Sequence, residues 1–155
     1  MKQTPSQTAG PFLHIGMMPE GRAPRPVADV AERPIALHGR LFDSTGAPVV
    51  DGLVEMWQEN AVWDRSAMDD EGRWHLRAAR PDAYSFVSLW IIARGINTGL
   101  HTRLYFPDCA WRDDAAMTTI PAPRRSTLVA SQGEDGAYHL DIRLGGEGET
   151  VFFDV

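Results

Sequence analysis

Cysteine is nearly absent from this chain of 155 residues: Cys109 stands alone. A single cysteine excludes an internal disulfide framework and a cysteine-built zinc site, and its plain reading is a buried or half-buried thiol. No apolar stretch approaches the ~18–20 residues of a membrane span. The N-terminal MKQTPSQTAGPF lacks the apolar core of a signal peptide. A cytoplasmic protein without a membrane partner is therefore expected. Positive charge is also short. Fifteen Lys and Arg stand against 21 Asp and Glu, a net charge of -6. The basic residues are scattered apart from Arg124-Arg125, so no basic face is offered to nucleic acid. Bulk charge would not draw in a small acidic substrate, which would need a local arginine.

The usual catalytic constellations are missing too. The five histidines, His14, His38, His75, His101 and His139, include no pair two or four residues apart. A metal site on one strand would want an H-x-H pair, because residues i and i+2 share a face. His38, His75 and His139 fall in alternating strand patterns and read as surface or satisfied histidines. With only Tyr84, Tyr105 and Tyr138 beside them, a metal site built by this chain alone is not expected. There is no G-x-S-x-G elbow and no cysteine–histidine pair in sequence. The GGEG near the C-terminus lacks the lysine and following helix of a phosphate loop. Asp69-Asp70 and Asp113-Asp114 read as solvated turn carboxylates.

What is present is strand pattern. Residues 1–32 are rich in Pro and Gly, which disfavours a long helix or a central strand. They read as an extended N-terminal arm, and Phe12, Leu13, Ile15, Met17 and Met18 favour an arm laid over a partner. Residues 33–155 read as one domain. Ile35, Leu37, Gly39 and Leu41 alternate with Ala36, His38, Arg40 and Phe42, the period of a half-buried strand. Asp43-Ser44-Thr45-Gly46 is a turn signal, and Leu53–Trp57 a second strand. Asp69-Asp70-Glu71-Gly72 and Trp74-His75-Leu76 repeat the turn-then-strand pattern. YSFVSLWIIARG is apolar on both faces and hence central. TRLYFPD is a strand closed by Pro107, a short helix is possible around Asp113–Thr118, AYHLDIRLGG alternates again, and GETVFFDV is expected to end the chain on a strand. Short strands, frequent turns and no convincing long helix predict an all-β sandwich.

One residue stands out. Arg94 ends the most apolar run and Gly95 follows it. A guanidinium there needs an anionic partner. A structural Asp or Glu would serve, and so would a substrate carboxylate. Composition leaves both open.

Four stretches, TPSQTAGPF, HGRLFDSTGAPVVDGLVEMWQEN, SLWIIARGINTGLHTRLYF and YHLDIRLGGEGETVFFDV, follow one another in order from Thr4 to Val155, so that their span is nearly the whole chain. They resemble the alpha subunit of protocatechuate 3,4-dioxygenase, in the intradiol ring-cleavage dioxygenase family. The resemblance implies a β-sandwich of the intradiol type in a higher oligomer of alpha and beta chains. It implies a ferric ion held by the beta chain through two tyrosines and an H-x-H pair, and none held by this chain, where the aligned strand reads Ser85-Phe86-Val87. It implies cleavage of protocatechuate, or a related small aromatic acid, with O₂ to 3-carboxy-cis,cis-muconate. This chain would complete the substrate pocket and stabilise its partner. Thr8, Gly10 and Pro11 in QTAGP match arm residues that border the pocket, and Arg94 in ARGIN matches the arginine facing the substrate.

The chain departs from the family at two loops, cut to AVWDRSAM and RPDAYS, and the APHI-like lead-in is absent. In the beta chain these regions carry the tyrosine ligands. The alternative reading is a non-catalytic β-sandwich binding or structural module descended from the family. An independent iron enzyme is the weakest reading, because four ligands cannot be assembled.

Overall fold

The period-two runs fold into two β-sheets packed face to face. The computed structural model describes residues 10–18, 34–59, 62–79 and 85–154. Most of the arm, including Thr8, lies outside these residues. In chain order the described elements are α1 (Gly10–Met17), β1 (Pro34–Phe42), β2 (Gly52–Trp57), β3 (Trp63–Ala67), β4 (Arg73–Ala79), β5 (Phe86–Ala93), β6 (Leu100–Tyr105), α2 (Ala115–Thr119), β7 (Ser131–Gln132), β8 (Tyr138–His139) and β9 (Ile142–Arg143). One sheet runs β4-β1-β8-β7, with β9 following β8 along the same edge of β1; the other runs β3-β2-β5-β6.

The alternation read in β1 is the burial pattern of the strand. Leu37, Gly39 and Leu41 face inward and meet Trp74, Leu76 and Ala78 of β4. Val54 and Met56 of β2, and Val87, Leu89, Ile91 and Ala93 of β5, close the core from the other sheet. Burying these side chains stabilises the fold by about 1.5–3 kcal/mol for each large one. Gly39 permits the closest approach in the core. Leu140 donates its N–H to the His38 carbonyl at 2.9 Å, and a Cβ on Gly39 would lie 1.8 Å from the Leu140 carbonyl oxygen.

A second apolar cluster, Tyr105, Met117, Ile120 and Leu128, covers the flank of β6. The helix expected near Asp113–Thr118 is α2. The Asp114 carboxylate caps it by accepting from the Ala116 N–H at 2.7 Å. The two turns also form as expected. Asp43 accepts from the N–H groups of Thr45 and Ala47, and Gly46 adopts φ +84°. Asp69 accepts from Glu71 and Arg73. Cys109 is half-buried.

Three elements differ from the sequence expectation. The stretch AVWDRSAM, taken as a remnant loop, contains strand β3. Its pattern is inverted, since Asp64 and Ser66 face inward and are buried. They fit there because they replace ladder bonds at the corner between the sheets. Asp64 accepts from the Arg77 N–H at 2.8 Å, and Ser66 from the His75 N–H at 3.0 Å. The C-terminal GETVFFDV forms no strand of its own up to residue 154; it meets the edge of β6 through one bridge, Phe153 to His101, and through the Thr102 hydroxyl, which donates to the Val151 carbonyl at 2.7 Å. Within the arm, Gly10–Met17 is helical rather than extended. Pro11 is tolerated because it stands in the first turn, where its missing N–H would have had no intrahelical partner.

Candidate functional site

β2 and β5 pair antiparallel from Gly52↔Ala93 to Trp57↔Ser88. Arg94 leaves the sheet at the Gly52 end. Its N–H donates to the Asp51 carbonyl at 3.0 Å. Its guanidinium lies 2.9 Å from the Asp51 carboxylate, with the two side chains 67% and 42% exposed. The apolar strand therefore carries its charge just beyond the core, in water, beside a carboxylate. Gly95 turns the chain away at φ +85°.

The Trp57 end is different in character. An open recess of about 340 Å³ is lined by Trp57, Gln58, Glu59, Phe86 and Ser88. Trp57 is 51% exposed and stacks on Trp63, with centroids 5.9 Å apart and planes 19° from parallel. The Gln58 amide is engaged on both sides by the Ala79 backbone, at 2.9 and 2.8 Å. In the Ser85-Phe86-Val87 segment, Phe86 lines the recess and Val87 points into the core. Arg103, paired with Ser88 across the strands, is held under Phe86 at 4.0 Å. It bonds the Tyr105 hydroxyl at 3.0 Å and Asp114 at 3.3 Å. Burial pushes the Tyr105 hydroxyl above the usual tyrosine range. Ser88 and Arg94 are six residues apart on one extended strand, about 20 Å, so the recess and Arg94 occupy opposite ends of β5. Sequence reasoning missed the recess; its only signal was two aromatic residues at strand ends.

Gly10 and Pro11 open α1, while Thr8 lies outside the described residues. The helix is fixed at its other end, where the Met17 carbonyl accepts from the Arg65 guanidinium at 2.8 Å. Arg65 also pairs with Glu55 on the neighbouring strand and lies over Trp63 at 5.2 Å. Glu55 and Arg65 are nearly buried, with side chains 6% and 13% exposed. A buried carboxylate facing a buried guanidinium satisfies both charges. The two residues stand in separate segments of the chain, so nothing in the sequence marked them as a pair.

Three histidines that look unrelated in sequence share a row on the other sheet. His38 is in register with His75 on β4 and with His139 on β8. Their rings lie 6.2 and 5.2 Å from that of His38. His139 Nε2 lies 3.0 Å from Asp141 Oδ1. Partial burial, then repulsion by His139 and His75, holds His38 below the usual histidine pKa, against the opposite pull of Asp135 and Asp141. Among the described residues no group of three or more His, Cys, Asp or Glu is placed to hold a metal ion.

No family model matches the chain. Among curated proteins it is 37% identical to the protocatechuate 3,4-dioxygenase alpha chain of Pseudomonas putida, over 197 aligned positions that take in 99% of this chain and 97% of the relative. The chain belongs to the protocatechuate 3,4-dioxygenase alpha-chain family. The corresponding alpha chain of Burkholderia cepacia is 30% identical, covering 100% of this chain and 98% of that one. Both alignments, at 197 and 194 positions, exceed the 155 residues here, so these alpha chains carry residues that this shorter family member lacks. In fold it is similar to the dioxygenase domain of a carbohydrate-binding fusion from Streptomyces sp. SirexAA-E, with TM-score 0.59, 19% identity and coverage of 94% and 99%. It is also similar to catechol 1,2-dioxygenase from Acinetobacter sp. ADP1, with TM-score 0.55, 16% identity and coverage of 83% and 58%. The sandwich is thus that of the intradiol dioxygenases. No helix among the described residues is long and apolar enough to cross a membrane.

Proposed function

We propose that this chain is the alpha subunit of a heteromeric intradiol dioxygenase that cleaves protocatechuate, or a related acidic catechol, with O₂ to 3-carboxy-cis,cis-muconate. It lacks iron ligands of its own, completes the substrate pocket and stabilises an iron-bearing beta chain in a higher oligomer. The observation that carries this reading is full-length similarity to two proteins named as alpha chains.

Arg94 is the residue of this chain that meets the substrate. Its exposed guanidinium keeps donors beyond the one facing Asp51, and its planar fork matches a carboxylate. Binding the acid group would orient the ring toward the partner and raise the local concentration of an anion that the net charge of -6 would otherwise repel. Thr8, Gly10 and Pro11 border the same pocket from the arm. Among the described residues no group of three or more His, Cys, Asp or Glu is placed to hold a metal ion; in this reading the ferric ion belongs to the beta chain, where it would serve as a Lewis acid toward the catechol. The residues that this chain lacks relative to its named relatives favour a second reading, a non-catalytic β-sandwich module descended from the family.

Co-expression with an intradiol beta chain, followed by an iron count and a panel of catechols, tests the proposal. Activity and iron are expected only in the complex. One equivalent of iron on the isolated chain would overturn it, and failure to associate with any such beta chain would favour the second reading. Arg94→Ala is expected to raise KM for the carboxylated catechol by about ten-fold, the order of one charge-assisted hydrogen bond, and to leave KM for an uncharged catechol unchanged.

A further inference from the structure

We propose that Asp51 is a positioning residue for Arg94: it aims the guanidinium toward the acid group of the substrate. The inference rests on the reading of Arg94 as a substrate contact and adds the residue that sets its direction. Arginine has several rotatable bonds, and an arginine at an exposed strand end would sample many directions. Gly95 leaves open space on its side, since a Cβ there would meet nothing within 4 Å. Asp51 supplies the fixed point. Its carboxylate lies 2.9 Å from one terminal nitrogen as an ion pair, and its carbonyl accepts from the Arg94 N–H at 3.0 Å. The backbone next to Asp51 is closely packed. The next residue, Gly52, is buried, and a Cβ on it would come within 3.1 Å of the Ile92 carbonyl oxygen. β2 and β5 therefore close tightly at this end, and the backbones that carry Asp51 and Arg94 are held side by side. One edge of the fork is tied down, and the remaining donors face outward for a second carboxylate.

An exposed ion pair is worth at most about 1 kcal/mol, which sets the size of the effect. The test uses the complex with its beta chain and compares a catechol bearing a carboxylate with one lacking it. Asp51→Ala is expected to raise KM for the acidic catechol by about two- to five-fold, with kcat held and KM for the uncharged catechol unchanged. Asp51→Asn keeps a carbonyl acceptor and is expected to restore KM to near the parental value. A merely structural staple between β2 and β5 would move both substrates alike. An equal rise for both catechols, or a parental KM in Asp51→Ala alongside a raised KM in Arg94→Ala, overturns the positioning role and leaves the pocket reading standing. An Arg94→Ala complex with parental KM for the acidic catechol overturns that pocket contact itself, and Asp51's role with it.

Discussion

Removing the Glu55 carboxylate leaves Arg65 with a nearly buried, uncompensated charge. Both side chains are largely out of water, and deleting one partner of a buried pair costs about 3–5 kcal/mol. Arg65 keeps the Met17 carbonyl and the face of Trp63, so Glu55→Ala belongs at the low end, about 3 kcal/mol. For a chain of this size that lowers the thermal midpoint by about 6–12 °C. The double variant Glu55→Leu/Arg65→Met replaces the pair with apolar volume and should recover most of the loss. It should not recover the hold on α1, because methionine cannot donate to the Met17 carbonyl. Thermal unfolding by circular dichroism reads the first effect; amide exchange across residues 10–17 reads the second. A Glu55→Ala midpoint within 1–2 °C of the parent (about 0.5 kcal/mol) would refute the burial argument. A double variant as unstable as the single one would show that geometry, not unpaired charge, sets the cost.

Gly39→Ala drives a methyl into the Leu140 backbone and should destabilise by about 3 kcal/mol or more; Gly46→Ala, with open space but φ +84°, should lose only about 1 kcal/mol, and denaturant midpoints separate the two. Asp114→Ala removes both the α2 cap and the partner of Arg103 and should lose about 1–2 kcal/mol by the same measurement. The histidine row makes stability depend on pH. Since the folded state holds the His38 pKa below its ordinary value, the unfolded chain binds more protons as pH falls through about 6.5. That contribution is complete above the ordinary value and is lost on acidification through it, so the denaturant midpoint should drop between pH 7.5 and 5.5 and drop less in His38→Gln. Asp43 and Asp69, whose pKa values are lowered by hydrogen bonds from their turns, act in a separate window below about pH 4. An identical drop in His38→Gln would dismiss the row as the cause.

The sandwich was legible because its signals are local. Inward Leu37, Gly39 and Leu41 alternate with outward neighbours in one stretch, and Gly46 and Gly72 close the expected turns, both at positive φ. β3 was hidden because its inward residues are polar. Asp64 and Ser66 face the core only because β4 presents backbone N–H groups to them, and no period count sees a partner strand. The C-terminal GETVFFDV misled in the opposite direction: its apolar alternation packs Val151 and Phe153 against the flank of β6 without a ladder. The histidine row and the Glu55–Arg65 pair were invisible for the same reason. Their members meet across strands, and register is a property of the sheet rather than of any segment.

The placement of Arg94 follows from the division of labour along β5. Inward residues Val87, Leu89, Ile91 and Ala93 belong to the core, where an ionised group would cost far more than any single hydrogen bond returns. On β5 the charge stands just past the last inward residue, where the sheet ends. At one end the chain has Phe86 and Ser88 beside Trp57, a recess of mixed aromatic and polar walls. At the other it has a guanidinium tied to Asp51 and open to water. A surface arginine paired with one carboxylate is ordinary. What bears on the role proposed for it is the tight closure of Gly52 on Ile92, which sets where the Asp51 backbone stands beside Arg94. The substrate contact proposed for this chain therefore depends on core packing one residue away, and a change at Gly52 should disturb recognition of the acid group before it disturbs the fold of the distant recess.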